Sequence, residues 1–182
     1  MSKVKVIKGL PSTNKKLSSL KEALSYKNEM IIYKFLESYK LSFKEANALF
    51  TETKRWLWFC AHTTELTRKG EKVPAPSIGY SLVLMDEMWH TFILFTKEYS
   101  EYCHSNFGFY IHHSPTTKKE KDFTVAELNK NPKKFEKEYI ERIEKFYGYV
   151  YDVLGSHIVI RWFQEYPKKY SMEKIKTLYI GL

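Results

Sequence analysis

The chain reads as all-α: a single-domain bundle of about five to seven helices with a long loop after the third long helix. Three observations carry this. Ser19-Leu20-Lys21-Glu22 and Ser42-Phe43-Lys44-Glu45 have the spacing of a capping box, in which the serine and glutamate side chains each satisfy a backbone N–H left free at a helix start. Asn131-Pro132 offers an N-cap followed by the one residue that loses nothing in a first helical turn. Apolar residues recur three or four apart over long stretches, while the period-two alternation of strands is nearly absent.

The elements follow in order. A first helix starts at Ser19. A second runs from about Phe43 to Thr67 through Ala46, Leu49, Phe50, Trp56, Leu57, Cys60 and Ala61, and stops near Lys69-Gly70, because glycine accepts the left-handed conformation that ends a helix. Pro74 and Pro76 enforce a loop. A third helix is expected to begin around Ser77 to Tyr80 and to continue through Met85, Trp89, Phe92, Thr96, Tyr99 and Cys103, ending before Gly108. Ser114-Pro115 breaks regular structure and 116–121 reads as a polar loop; Thr124-Val125-Ala126-Glu127 is a further capping box opening a short helix. From Asn131-Pro132, Phe135, Tyr139, Ile143 and Phe146 make an amphipathic stripe ending at Gly148. His157 to Tyr166 fits helix or strand, with helix preferred because Ser156 can cap it, and ends at Pro167; Ser171 to Leu182 holds a last short helix docked by Ile175, Leu178 and Tyr179.

At 182 residues the chain is expected to be one domain, 1–182, with 1–17 as a flexible N-terminal segment, long enough to bury roughly two-thirds of its unfolded surface without cross-links. Cys60 and Cys103, in a chain rich in Lys and Glu, suit a reducing interior. No stretch offers the ~20 uninterrupted apolar residues of a membrane span, nor the apolar run of a secretory signal. A cytoplasmic location is therefore expected. The formal charge of +9 attracts polyanions, so an acidic protein or a nucleic acid is a candidate partner. The charge is scattered in short runs, Lys15-Lys16, Lys118-Lys119-Glu120-Lys121, Lys133-Lys134 and Lys168-Lys169, whereas a nucleic-acid footprint gathers on one element. No phosphate-cradling glycine loop, hydrolase elbow or finger-spaced cysteine pair occurs.

Chemistry is concentrated between Asp86 and Pro115, where four of the six histidines fall: His90, His104, His112 and His113. Asp86 and His90 are four apart and share one helix face. On a continuous helix Cys103 lies about 20 Å along the axis from His90 at 1.5 Å per residue, which excludes Cys103 and His104 from a common site unless the helix breaks. A mononuclear site centred on Asp86 and His90 recruits its remaining ligand from His112 or His113 on the returning segment, or from His62 on the second helix. Adjacent side chains of an extended segment point opposite ways, so only one of His112 and His113 can face the site. Two imidazoles and a carboxylate hold zinc, iron or manganese while leaving positions open. The same pair also serves as a structural polar lock, or as a metal-free acid and base.

The block Arg55-Trp56-Leu57-Trp58-Phe59, Pro76-Ser77, Asp86-Glu87-Met88-Trp89-His90-Thr91-Phe92-Ile93-Leu94, Tyr99, Tyr102-Cys103, Phe107-Gly108 and His112-His113-Ser114-Pro115 resembles the bacterial branch of the glycine-rich domain-containing protein family. Plant members of that family share a shorter version of the pattern, with a second histidine where this chain has Phe92. The eponymous glycine-rich segment has no counterpart among the seven glycines here. The resemblance selects His113 over His112, giving Asp86, His90 and His113 as the candidate ligands of zinc or another divalent transition metal, with His112 and His62 as alternates. It implies no particular reaction. Two functions remain open: a metal-dependent enzyme or metal-binding domain, and a non-enzymatic interaction protein whose basic surface meets an acidic partner or nucleic acid.

Overall fold

A computed structural model describes residues 2–4 and 16–181. Of the segment expected to be flexible, 1–17, residues 1 and 5–15 lie outside the described residues. The described residues form an all-α protein in which helices α1 (Leu20–Ser25) and α2 (Glu29–Leu36) pack on a long α3 (Phe43–Arg68). Both expected serine boxes are formed: Ser19 accepts from the Glu22 N–H and Ser42 from the Glu45 N–H, with each glutamate returning to its serine. Asn28 caps α2 by accepting from the Met30 N–H.

α3 is the axis of the core. Ala46, Leu49, Phe50, Trp56, Leu57, Phe59, Cys60 and Ala61 are all buried along it. Each large apolar side chain removed from water contributes roughly 1.5–3 kcal/mol. Two charged residues are buried with them and are both satisfied. The Lys54 ammonium donates to the carbonyls of Leu24 and Tyr26, 2.8 and 2.6 Å away. Glu52 accepts from Arg161 at 2.7 Å, from Trp162 at 2.9 Å and from Arg55 at 3.1 Å.

The third long helix of the sequence reading is two helices, α4 (Val83–Leu94) and α5 (Thr96–Phe107), preceded by a short turn over 80–82. Phe95 between them leaves helical geometry at φ −83°, ψ 66°. The apolar spacing runs through this break without interruption, so periodicity alone merges the two. Met85, Trp89, Phe92, Tyr99 and Cys103 are buried as the face arithmetic requires, whereas Thr96, the first residue after the break, is exposed. α5 ends at Gly108, whose φ of +76° only glycine adopts without cost; the chain turns there into the returning loop.

Further along, 118–121 is helical and not loop: α6 (Lys118–Lys130) begins one box earlier than expected, with Thr117 and Glu120 forming the reciprocal cap. Thr124 instead bonds back to the Glu120 carbonyl at 2.8 Å. Asn131 and Pro132 open α7 (Pro132–Leu154) as expected, but the helix continues through Gly148 to Gly155. Gly148 has open space around it, and helix at that position is held by burial of Phe146, Val150 and Leu154. The next segment is helical, starting with α8 (Ser156–Ile160), with no side-chain cap from Ser156. It widens over 161–165 into one π-turn, in which the Tyr166 N–H reaches the Arg161 carbonyl, and continues as α9 (Tyr166–Lys169). Pro167 therefore sits inside the helical path rather than ending it: the wider turn accommodates the residue that lacks an N–H and clashes with the preceding turn. α10 (Met172–Leu178) is capped by Ser171 and docks through buried Ile175 and Leu178, while Tyr179 is half exposed with its ring edge against Tyr39.

A small three-stranded antiparallel sheet, invisible to sequence pattern because its strands are two or three residues long, joins β1 (Ser2–Val4) to β2 (Ser77–Ile78) on one side and β3 (His113–Ser114) on the other. It holds the returning loop beside the start of α4. Three of the lysine runs lie on different helices, on the first turns of α6 and α7 and on α9; of Lys15-Lys16, Lys15 lies outside the described residues. No helix among the described residues is long and apolar enough to cross a membrane.

Candidate metal centre

Asp86 lies in the first turn of α4 and His90 one turn later, which stacks them on one face. The turn at Gly108 and the strand at His113–Ser114 bring the third group back onto that face. His113 Nε2 is 3.0 Å from Asp86 Oδ1 and 3.1 Å from His90 Nε2. One ligand atom from each of the three residues lies within 4.8 Å of the other two.

An imidazole nitrogen has one in-plane position, which holds either a proton or a lone pair. Here two groups crowd that single position on His113. That position serves one hydrogen bond at a time, whereas a cation between the three groups can be bound by all of them. Bonds of 2.0–2.1 Å in a tetrahedral set place ligand atoms about 3.3 Å apart, close to the two separations seen. The residues present therefore fit a divalent transition metal held through both Nε2 atoms and one carboxylate oxygen.

The surroundings are graded. The His113 side chain is 7% exposed and that of Asp86 17%, whereas that of His90 is 43% exposed, so the cluster is walled on the loop side and reached by solvent past His90. The Glu87 carboxylate stands 3.7 Å from His90 Nδ1. Glu87 draws the His90 pKa upward, against the opposing effect of partial burial, with the Asp86 charge adding to the rise. A proton held on Nδ1 leaves Nε2 free as a ligand. Glu87 in turn faces buried Tyr39, whose phenol is pushed up by burial first and by the Glu87 charge second. Sequence reasoning passed over Glu87, although its place three residues before His90 is the signal for it.

The other histidines are elsewhere. His112 turns to the opposite side and packs on Tyr110 at 4.8 Å between ring centroids. His62 stacks on Trp58 at 5.2 Å, and burial lowers its pKa. His104 is exposed and bonded to the Ser100 carbonyl of its own helix. Neither alternate joins the cluster. Cys103 is also outside it, although the helix does break before it: its thiol is fully buried and pushed up to about 12, a small apolar group and not a nucleophile.

Fold and site together define an all-α protein carrying a carboxylate and two imidazoles at one junction of helix and loop. The chain belongs to the UCP032817-like family, whose model matches residues 22–130, a span containing all three cluster residues and ending before α7. Comparison with curated proteins found no match, and comparison with solved structures found none.

Proposed function

We propose that the protein is a metal-binding domain, holding zinc or another divalent transition metal on Asp86, His90 and His113 with one coordination position open to solvent. The observation that supports this most directly is the convergence of Asp86 Oδ1 and His90 Nε2 on His113 Nε2, at 3.0 and 3.1 Å. Three protein ligands and an open position are the arrangement of catalytic rather than structural zinc. A metal bound there supplies Lewis acidity and an activated water. The chain's own residues orient it: Asp86 contributes the negative charge, and the Glu87 carboxylate, 3.7 Å from His90 Nδ1, favours a proton on that nitrogen. The resemblance to the glycine-rich domain-containing family is part of this proposal and rests on the same Asp86 to Pro115 motif. A reducing cytoplasmic setting suits the two unpaired, buried thiols.

Metal analysis of protein purified without a histidine tag tests the reading. One equivalent of metal is expected in the wild type and none in Asp86→Ala or His90→Ala; full retention in both variants removes these residues from the site. The alternative, an interaction protein meeting an acidic partner or nucleic acid through its basic surface, draws on the charge of +9. Its signature is salt-sensitive binding that a chelator leaves unchanged.

A further inference from the structure

The hydroxyl of Tyr99 is used twice. It accepts from Trp89 Nε1 at 2.9 Å and donates to the Ile111 carbonyl at 2.7 Å. Trp89 and Tyr99 are ten residues apart, about 15 Å along an unbroken helix at 1.5 Å per residue. Only the break at Phe95 lets them meet, folding α5 back beside α4. α5 therefore grips the returning loop at Ile111, two residues before His113. Trp89 completes the frame with its ring edge-on to the His113 ring, 4.5 Å between centroids. All of Trp89, Tyr99 and Ile111 are buried, so none of these bonds competes with water.

We propose that Tyr99, acting through Trp89 and Ile111, is the positioning residue that sets His113 against Asp86 and His90. The inference rests on the metal reading above and extends it: the tyrosine of the motif acts as a ruler for the third ligand. Tyr99 touches none of the ligand atoms. Its hydroxyl fixes where the loop begins its approach, and Trp89 fixes the plane of the ring that arrives.

Cobalt(II) titration of the metal-free full chain tests this, because the intensity and energy of its visible bands report coordination geometry. Tyr99→Phe keeps the ring contacts with Phe92 and Tyr110 and removes only the hydroxyl. It is expected to weaken cobalt binding about 10- to 100-fold, the loss typical of an outer-shell partner, and to alter the bands. Wild-type affinity and spectrum in Tyr99→Phe, whatever its melting temperature, overturn the inference; if cobalt binding is still lost in His90→Ala, the metal reading survives. Absence of uptake by the wild type removes both. Should Tyr99→Phe fail to fold, Trp89→Phe, which deletes the N–H donor, is judged by the same two outcomes.

Discussion

Asp86 Oδ1 and His113 Nε2 approach to 3.0 Å from positions 27 apart in the chain, one on a helix and the other on a two-residue strand. On the proposal of a metal site, that contact is linked to stability, since a ligand that binds only the folded chain stabilises it by about 2.7 kcal/mol at a hundred times its Kd. Zinc or cobalt is therefore expected to raise the melting temperature of the wild type, and EDTA to reverse the rise. In Asp86→Asn, which keeps the size and loses the charge, the metal-induced shift is expected to vanish. Differential scanning fluorimetry measures both; equal shifts in the two proteins remove Asp86 from the ligand set.

Glu52 is a buried carboxylate with three donors, from Arg55 on its own helix and from Arg161 and Trp162 at the π-turn. Replacing it by alanine leaves two guanidinium groups and an indole N–H facing one another without their acceptor. A loss of about 3–5 kcal/mol is expected, as for other buried pairs broken from one side. Urea denaturation reads this, and a loss below 1 kcal/mol contradicts the assignment of Glu52 as the anchor of the α8–α9 segment.

Lys54 gives a pH signature. Burial pushes its ammonium down to about 8 in the folded chain, with Lys27 adding to the drop, against about 10.4 when unfolded. Between these values the unfolded chain binds more protons, so this residue's contribution to stability rises with pH across that window and is smallest below it. Unfolding free energies of the wild type minus those of Lys54→Met, measured from pH 7.5 to 10.5, are expected to climb. A flat difference contradicts the prediction.

Glu45 carries the opposite signature. The Lys169 ammonium, 2.9 Å away, and the Ser42 cap draw its carboxyl down to about 2. Its contribution is present above the unfolded value near 4.3 and is lost as pH falls from there through the folded value. Acid titrations of the wild type and Glu45→Gln are expected to converge over this range, and Lys169→Met to move the loss to higher pH.

Much of the helical scaffold was legible because its signals are local. The Ser19 and Ser42 boxes, the Asn131-Pro132 start and the span of α3 need only neighbours three or four residues away. The stop expected at Gly148 and the break expected at Pro167 failed for the converse reason. Burial of Val150 and Leu154 carries α7 on, and a π-turn makes room for the proline. The choice of His113 over His112 followed the alternation of an extended segment and a family resemblance, and the two rings do point to different neighbours.

The sequence by itself determined the helical class, the cap positions and the stacking of Asp86 above His90, because helix geometry fixes which residues share a face. Only the tertiary structure decided the break at Phe95 and the return of His113. Nothing in Leu94-Phe95-Thr96 forbids a continuous helix. A hydroxyl bonded to both Trp89 and Ile111 lies on the far side of that break, and bonds between segments that meet only after folding leave no local pattern in the chain.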